Sequence, residues 1–120
     1  MNEGSAFGPY MRSAREARKG EDRRFSLRQV ALRIGVEPAY LSKIERAQTA
    51  PPSEATIRRL AEDLGEDVDV LLALAGKVSS DLQAAIRKRP RLFADLIRQL
   101  NDAPDHAILR VVREVRDGDW

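Results

Sequence analysis

Neighbouring side chains in the segment 38–46 have the chemistry to contact the edges of DNA bases. If Leu41 and Ile44 point inward on a helix, a step of about 100° per residue turns four residues toward solvent: Ala39, Ser42, Lys43 and Arg46. We expect base contacts from Ala39, Tyr40, Ser42 and Lys43, with Tyr40 at the flank. Lys43 is suited to O6 and N7 of guanine, and the methyl group of Ala39 is suited to the methyl group of thymine.

A second set of polar residues surrounds this segment and is suited to the DNA backbone. We expect phosphate contacts from Ser26, Arg28, Arg46 and Gln48. Such contacts fix the position of a protein on the duplex without distinguishing base sequences. Arg23 and Arg24 belong to a predicted polar loop over 20–24, where we expect them to be solvent-exposed, with a phosphate contact as the alternative.

Two helices joined by a turn must position these side chains. Ala31 is small where the second of the two helices crosses closest, and Gly35 lies at the turn, where a positive φ costs glycine nothing. Leu41 and Ile44 are three residues apart and therefore share the inward face of the second helix. These four residues have the spacing of the framework of a helix-turn-helix, which places its second helix in the major groove.

The ionisable residues are distributed unevenly along the chain. The net charge is +2, yet residues 10–46 contain ten Lys and Arg against five Asp and Glu. Residues 47–76 contain two against six, and residues 77–120 contain nine against seven. The excess of positive charge therefore coincides with the predicted helix-turn-helix, where a polyanion would bind.

The chain lacks the groups on which most catalysis depends. It has one histidine, His106, and no cysteine, and no glycine-rich phosphate loop follows a strand. We expect the acidic residues near one helix junction to cap helices and keep the surface soluble: Asp63, Glu66, Asp67 and Asp69. The sequence therefore predicts no enzymatic activity, no metal site and no cofactor.

Length and composition limit the class of protein further. A chain of 120 residues makes one domain, or one small domain with an appendage. The absence of cysteine favours a reducing compartment, and we find neither a membrane-length apolar run nor a secretory signal. We therefore expect a cytoplasmic protein associated with the nucleoid.

Helix-capping residues and apolar spacing predict an all-α fold. We expect five helices before Gly76, with the first from about Gly8 to Lys19 and the third from Pro38 to about Ala47. Ser26 and Gln29 form a capping box for the second helix. The apolar core of the fifth helix is predicted to be Val70, Leu71 and Leu74.

Three segments in this order carry a family resemblance: FGPYMRSAREAR, SLRQVALRIGVEPAYLSKIER and PPSEATIRRLAEDLGEDVDVLLALAG. They span residues 7–76 and resemble the Xre family of helix-turn-helix regulators, the group of lambda Cro and the phage repressors. The resemblance implies a five-helix, lambda-repressor-like domain that binds operator DNA, usually as a homodimer. The chain departs from the family in its longer connection EDRR, and in few polar side chains at the start of the third helix.

The same resemblance implies a structural ion pair between the first and third helices. In the family, a glutamate of the third helix pairs with an arginine of the first, and the matching residues here are Glu45 and Arg15. Removing one partner of a buried pair is costly. We therefore expect Arg15→Ala to harm folding more than DNA specificity.

We divide the chain into a flexible N-terminal arm at 1–6, a DNA-binding domain at 7–76 and a helical C-terminal extension at 77–120. The extension is predicted to serve dimerisation or regulation, since its apolar residues repeat at helical spacing: Leu92, Phe93, Leu96, Ile97, Leu100, Ile108, Val111, Val112 and Val115. A two-fold dimer would match half-sites one helical turn apart. The alternative is packing within the same chain, with weak or DNA-assisted dimerisation.

The resulting prediction is a homodimeric repressor that inserts its third helix, at about 38–46, into the major groove of a palindromic operator. One alternative is an antitoxin that regulates its own promoter and neutralises a toxin through its C-terminal helices. Another is a helix-turn-helix that has lost DNA binding and mediates protein contacts. The Xre resemblance also allows a protein antagonist, or a metallopeptidase, that acts on the C-terminal segment.

Overall fold

The computed structural model describes residues 6–118, so the predicted arm at 1–6 lies outside the described residues except for Ala6. Over this range the elements are α1 (Phe7–Lys19), the 3₁₀ helix η1 (Arg23–Phe25), α2 (Leu27–Ile34), α3 (Pro38–Glu45), α4 (Glu54–Leu64), α5 (Val68–Leu74), α6 (Ser80–Lys88), α7 (Pro90–Leu100) and α8 (Asp105–Arg116). The described residues contain no strand, which confirms the predicted all-α fold class. None of the described helices is long and apolar enough to cross a membrane.

The chain forms two compact units, which divide between Ser79 and Ser80. The first unit contains α1 to α5 with η1, and its core draws apolar side chains from all five helices. The buried members are Phe7, Met11, Val30, Ala31, Ile34, Leu41, Ile44, Ile57, Leu60, Ala61, Leu64, Leu71, Leu72 and Ala75. Burial of one large apolar side chain stabilises a fold by about 1.5–3 kcal/mol, so this cluster is the main driving force for folding the first unit.

Side-chain caps and left-handed glycines set the ends of the helices in the first unit. Ser26 Oγ accepts a hydrogen bond from the backbone N–H of Gln29 at 3.2 Å, and Ser53 Oγ accepts one from Thr56 at 3.3 Å. Gly35 ends α2 with a φ of 77°. The chain can therefore reverse within a few residues and bring α3 back against α2.

The predicted end of the third helix is wrong by two residues. Helix α3 ends at Glu45, and Arg46 has already left the helical region with φ −90° and ψ 7°. Ala47 follows with a φ of 55°, the left-handed conformation that usually belongs to glycine. The backbone N–H of Ala47 donates to Ile44 O at 3.0 Å and that of Gln48 donates to Lys43 O at 2.9 Å, which closes α3 in a Schellman motif.

The predicted core of the fifth helix is also partly wrong. Val70 is 45 % exposed, whereas Leu72, which the prediction omitted, is buried together with Leu71. The carboxylate of Asp67 accepts the N–H of Asp69 at 2.8 Å and starts α5 at Val68. A helix that begins at Val68 turns Leu71, Leu72 and Ala75 inward. Because α5 has seven residues and 70–72 are all apolar, the sequence pattern does not indicate which of these residues face the core.

The second unit consists of α6, α7 and α8, and none of their residues is buried. Phe93, Leu100, Ile108 and Val111 are half-buried. The large apolar side chains that remain exposed are Leu82, Leu92, Leu96, Ile97, Leu109, Val112 and Val115. These seven residues are called the exposed apolar set below.

Candidate nucleic-acid interface

Gly35 lies in the turn between α2 and α3, and the other three framework residues that the sequence singled out lie in the core. Ala31 and Leu41 are fully buried, and Ile44 is nearly so. At Gly35 a β-carbon would meet no atom within 4 Å, so the glycine is needed for its φ of 77° rather than for space. A side chain there would be strained although it would fit.

The outer face of α3 presents the residues predicted to contact bases. Ala39, Tyr40 and Lys43 are exposed, whereas Ser42 is half-buried. Lys43 forms no ion pair with any described residue. The face therefore offers one uncompensated cation, a hydroxyl group, a methyl group and a phenol.

The residues predicted to contact phosphates lie at the start of α2 and just beyond the end of α3. Arg28 and Gln48 are exposed, and the half-buried Ser26 caps α2. The Ser26 oxygen accepts the N–H of Gln29, which leaves its hydroxyl hydrogen available to an acceptor such as a phosphate oxygen. Arg46 donates from Nε to the carbonyl oxygen of Ser42 at 3.3 Å, so its other N–H groups extend from a partly fixed guanidinium.

A buried ion pair joins α1 to α3. Arg15 Nε and Nη2 donate to the two carboxylate oxygens of Glu45 at 2.6 and 2.8 Å, and both residues are buried. The hydrogen bonds with Glu45 raise the pKa of Arg15 above its ordinary value. Arg15 Nη1 also donates to the carbonyl oxygen of Phe25 at 3.1 Å, a link that sequence reasoning missed. One guanidinium therefore connects α1, η1 and α3.

A close backbone approach also joins α1 to α3, and the sequence analysis missed it. Gly8 is buried, and a β-carbon there would overlap the carbonyl oxygen of Ile44 and lie 3.1 Å from that of Glu45. A glycine within a helix lowers the stability of the helix by up to about 1 kcal/mol relative to alanine. The presence of Gly8 in the predicted first helix was therefore a signal of a contact that leaves no room for a side chain. Gly8 and Arg15 together fix the position of α3.

The connection between α1 and α2, predicted as a polar loop over 20–24, contains the 3₁₀ helix η1 at Arg23–Phe25. Asp22 accepts the backbone N–H of Arg24 at 2.9 Å, and its carboxylate also binds the Arg24 guanidinium, with Nη2 to Oδ2 at 2.7 Å. These bonds lower the pKa of Asp22. The Phe25 ring lies 5.1 Å from the Arg33 guanidinium and 5.5 Å from that of Arg18, within cation–π range.

Three of the four acidic residues near the junction of α4 and α5 have partners for their carboxylates. Asp63 accepts from Arg33 Nε at 2.6 Å and Nη2 at 3.0 Å, and Glu66 accepts from the Tyr10 hydroxyl at 3.2 Å. Asp67 caps α5. Within residues 6–118, no group of three or more His, Cys, Asp or Glu side chains is placed to hold a metal ion. His106 is exposed in the first turn of α8.

Comparison with known proteins covers the first unit. A family model described as a helix-turn-helix domain matches residues 6–74, more than half of the chain. An uncharacterized HTH-type transcriptional regulator of Bacillus subtilis, RghRB, is 36 % identical over 76 residues, which is 63 % of this chain and 51 % of that protein. The HTH-type transcriptional repressor RghR of the same organism is 36 % identical over 73 residues, 61 % of this chain and 50 % of that protein.

The chain thus spans about half the length of these curated relatives. No solved structure gives a significant match to it. The narrower resemblance to the Xre family stays a prediction.

Proposed function

The chain belongs to the helix-turn-helix domain family, and we propose that it is a DNA-binding transcriptional regulator whose α3 enters the major groove. The observation that carries this proposal is the division of α3 into two faces. Leu41 and Ile44 are buried in the core of the first unit, while Ala39 and Lys43 face solvent. A helix held in this way can lie along base edges without disturbing its own core.

We further propose that it acts as a repressor, like the similar HTH-type transcriptional repressor RghR, and that its operator is palindromic. Lys43 donates to guanine, Ala39 contacts a thymine methyl group, and Ser42 and Tyr40 add hydrogen bonds at the groove edge. Ser26, Arg28, Arg46 and Gln48 hold the phosphates on either side. Four base-contacting side chains select a short half-site only, so a genomic site requires two copies of the domain.

The second unit supports the proposal of a homodimer. About half of each side chain in the exposed apolar set is accessible, between 42 and 65 %. This amounts to on the order of 600 Å² of apolar surface per chain, near the ~800 Å² that each partner buries in a standard interface. We propose that a second copy covers this surface and sets the spacing of the two α3 helices.

Binding to DNA is tested by selecting sequences from a random pool and measuring affinity for the recovered site and its single-base variants. Lys43→Ala should lose about 1–3 kcal/mol and relax one base position, whereas Arg46→Ala should weaken all variants alike. Lys88→Ala, at an exposed lysine of α6, is the matched control and should bind as the wild type does. Failure to recover any preferred sequence would refute the proposed function.

The dimer is tested by analytical ultracentrifugation of the full chain. The double variant Leu92→Asp, Ile97→Asp should sediment as a monomer and should bind the palindrome more weakly than the wild type. Gln99→Asp, which adds an acidic residue at an exposed polar position of α7, should remain dimeric. A monomeric wild type, or a double variant that is as dimeric as Gln99→Asp, would exclude a second copy as the occupant of this surface.

A further inference from the structure

The arginines that precede α2 differ in whether an acidic side chain already neutralises them. Arg12 pairs with Glu16 at 3.1 Å, and Arg24 is bound by both carboxylate oxygens of Asp22. Arg23 is exposed and forms no ion pair with any described residue. Within η1, therefore, one arginine is compensated and its neighbour is not.

The backbone that carries Arg23 is held from several sides. The N–H of Asp22 donates to Arg18 O at 2.9 Å, and the N–H of Ser26 donates to the carbonyl oxygen of Arg23 itself at 3.1 Å. Arg15 binds the carbonyl oxygen of Phe25, as described above. An arginine on such a fixed turn loses less entropy on binding than one on a free loop.

Arg23 also stands close to the predicted phosphate contacts of α2. It precedes the N-cap residue Ser26 by three positions, which is on the order of 6 Å along a 3₁₀ helix at about 2 Å per residue. Phosphates of one DNA strand follow each other every ~3.4 Å along the duplex axis. A DNA phosphate adjacent to one bound at the start of α2 would therefore lie within reach of the long Arg23 side chain.

We propose that η1 is an additional phosphate-binding element, in which Arg23 contacts the DNA backbone beside the start of α2. The inference rests on the proposed function and widens the footprint of a single domain beyond the helix-turn-helix itself. Asp22 pairs with Arg24, which therefore has a structural role, and does not pair with Arg23, which can bind a phosphate. The longer connection between α1 and α2 thereby becomes part of the interface.

The test is the salt dependence of affinity for the selected site, measured between 50 and 200 mM KCl on full-length variants. Each phosphate contact contributes a slope of about −0.9 to the plot of log K against log salt. Arg23→Gln should make the slope shallower by about 0.9, so that its loss of affinity is about 3.5 times larger at 50 mM than at 200 mM. Arg23→Lys, which keeps the charge, should restore most of the wild-type slope.

The double variant Asp22→Asn, Arg24→Gln is the matched control. It removes a pair without net charge, and asparagine still caps η1, so its slope should equal that of the wild type. Ethylation interference should also show one phosphate contact fewer for Arg23→Gln than for this control. An unchanged slope in Arg23→Gln, or an equal change in the control, would overturn the inference.

These results separate the inference from the proposed function. If Arg23→Gln binds as the wild type does while Lys43→Ala loses affinity, the inference is wrong and the function stands. If the wild type itself shows no salt-dependent binding to any duplex, the proposed function is wrong and the inference falls with it. Far-UV circular dichroism of each variant verifies that the helices are intact.

Discussion

Replacement of Gly8 by alanine tests whether the contact between α1 and α3 depends on the absence of a side chain. The new β-carbon would overlap the carbonyl oxygen of Ile44 and approach that of Glu45. Both atoms belong to the backbone of α3, so no side-chain rotation can relieve the overlap and one helix must shift. Overpacking of this kind costs typically about 1–3 kcal/mol.

The helix propensity of alanine offsets part of that cost. Gly→Ala in a helix interior gains up to about 1 kcal/mol, and less at the second position of α1. We therefore expect Gly8→Ala to lower the free energy of unfolding by roughly 1–2 kcal/mol, measured by urea denaturation followed by far-UV circular dichroism.

Gly20→Ala makes the same chemical change and serves as the control. Gly20 has a φ of −56°, and its β-carbon would meet no atom closer than 3.5 Å. Alanine fits this conformation, so we expect a gain of about 0.4–1 kcal/mol from the reduced entropy of the unfolded chain. If Gly8→Ala were as stable as Gly20→Ala, the inferred close packing of α1 on α3 would be wrong.

Three further substitutions test other contacts. Arg15→Ala should lower the free energy of unfolding by about 3–5 kcal/mol in urea denaturation, because it leaves Glu45 buried without a partner. The double variant Arg15→Met, Glu45→Met should lose less than the sum of the losses of Arg15→Met and Glu45→Met. Glu66 raises the pKa of Tyr10 in the folded protein. The stabilising interaction of the neutral Tyr10 hydroxyl with Glu66 is therefore complete below the ordinary tyrosine pKa of about 10 and is lost as pH rises through the higher folded pKa. In the Tyr40→Phe background, Glu66→Gln should remove the upward shift of the Tyr10 pKa in an ultraviolet titration. Ala47→Gly should stabilise the fold by roughly 0.5–1 kcal/mol because it relieves the left-handed alanine, and no gain in thermal denaturation would argue against strain at that residue.

Local chemistry explains which parts of the fold the sequence predicted. Ser26 and Ser53 cap helices through backbone groups three residues away, and Gly35 ends α2 through its own φ. The inward positions of Leu41 and Ile44 follow from the helical period alone. Each of these features depends on a few consecutive residues, so a pattern in the sequence is sufficient to find it.

The contacts that the sequence left undetermined join residues far apart in the chain. Gly8 lies against Ile44, and the Arg15 guanidinium reaches Phe25 as well as Glu45. The packing of the helices decides which glycine meets a backbone carbonyl and which of two adjacent arginines is neutralised. The outer face of α3 could be predicted by residue type, whereas the division of labour between Arg23 and Arg24 required the positions of the Asp22 oxygens.

The exposed apolar set has a consequence for how long the protein survives in a cell. Helices without buried side chains open at small free-energy cost, and proteases cleave the opened state. Any occupant of that surface stabilises the second unit by mass action, so resistance to cleavage rises with the concentration of the occupant. If that occupant is a second copy, the half-life of the protein depends on the protein's own concentration. A fall in that concentration leaves more monomer open to proteases, so the protein is then degraded faster.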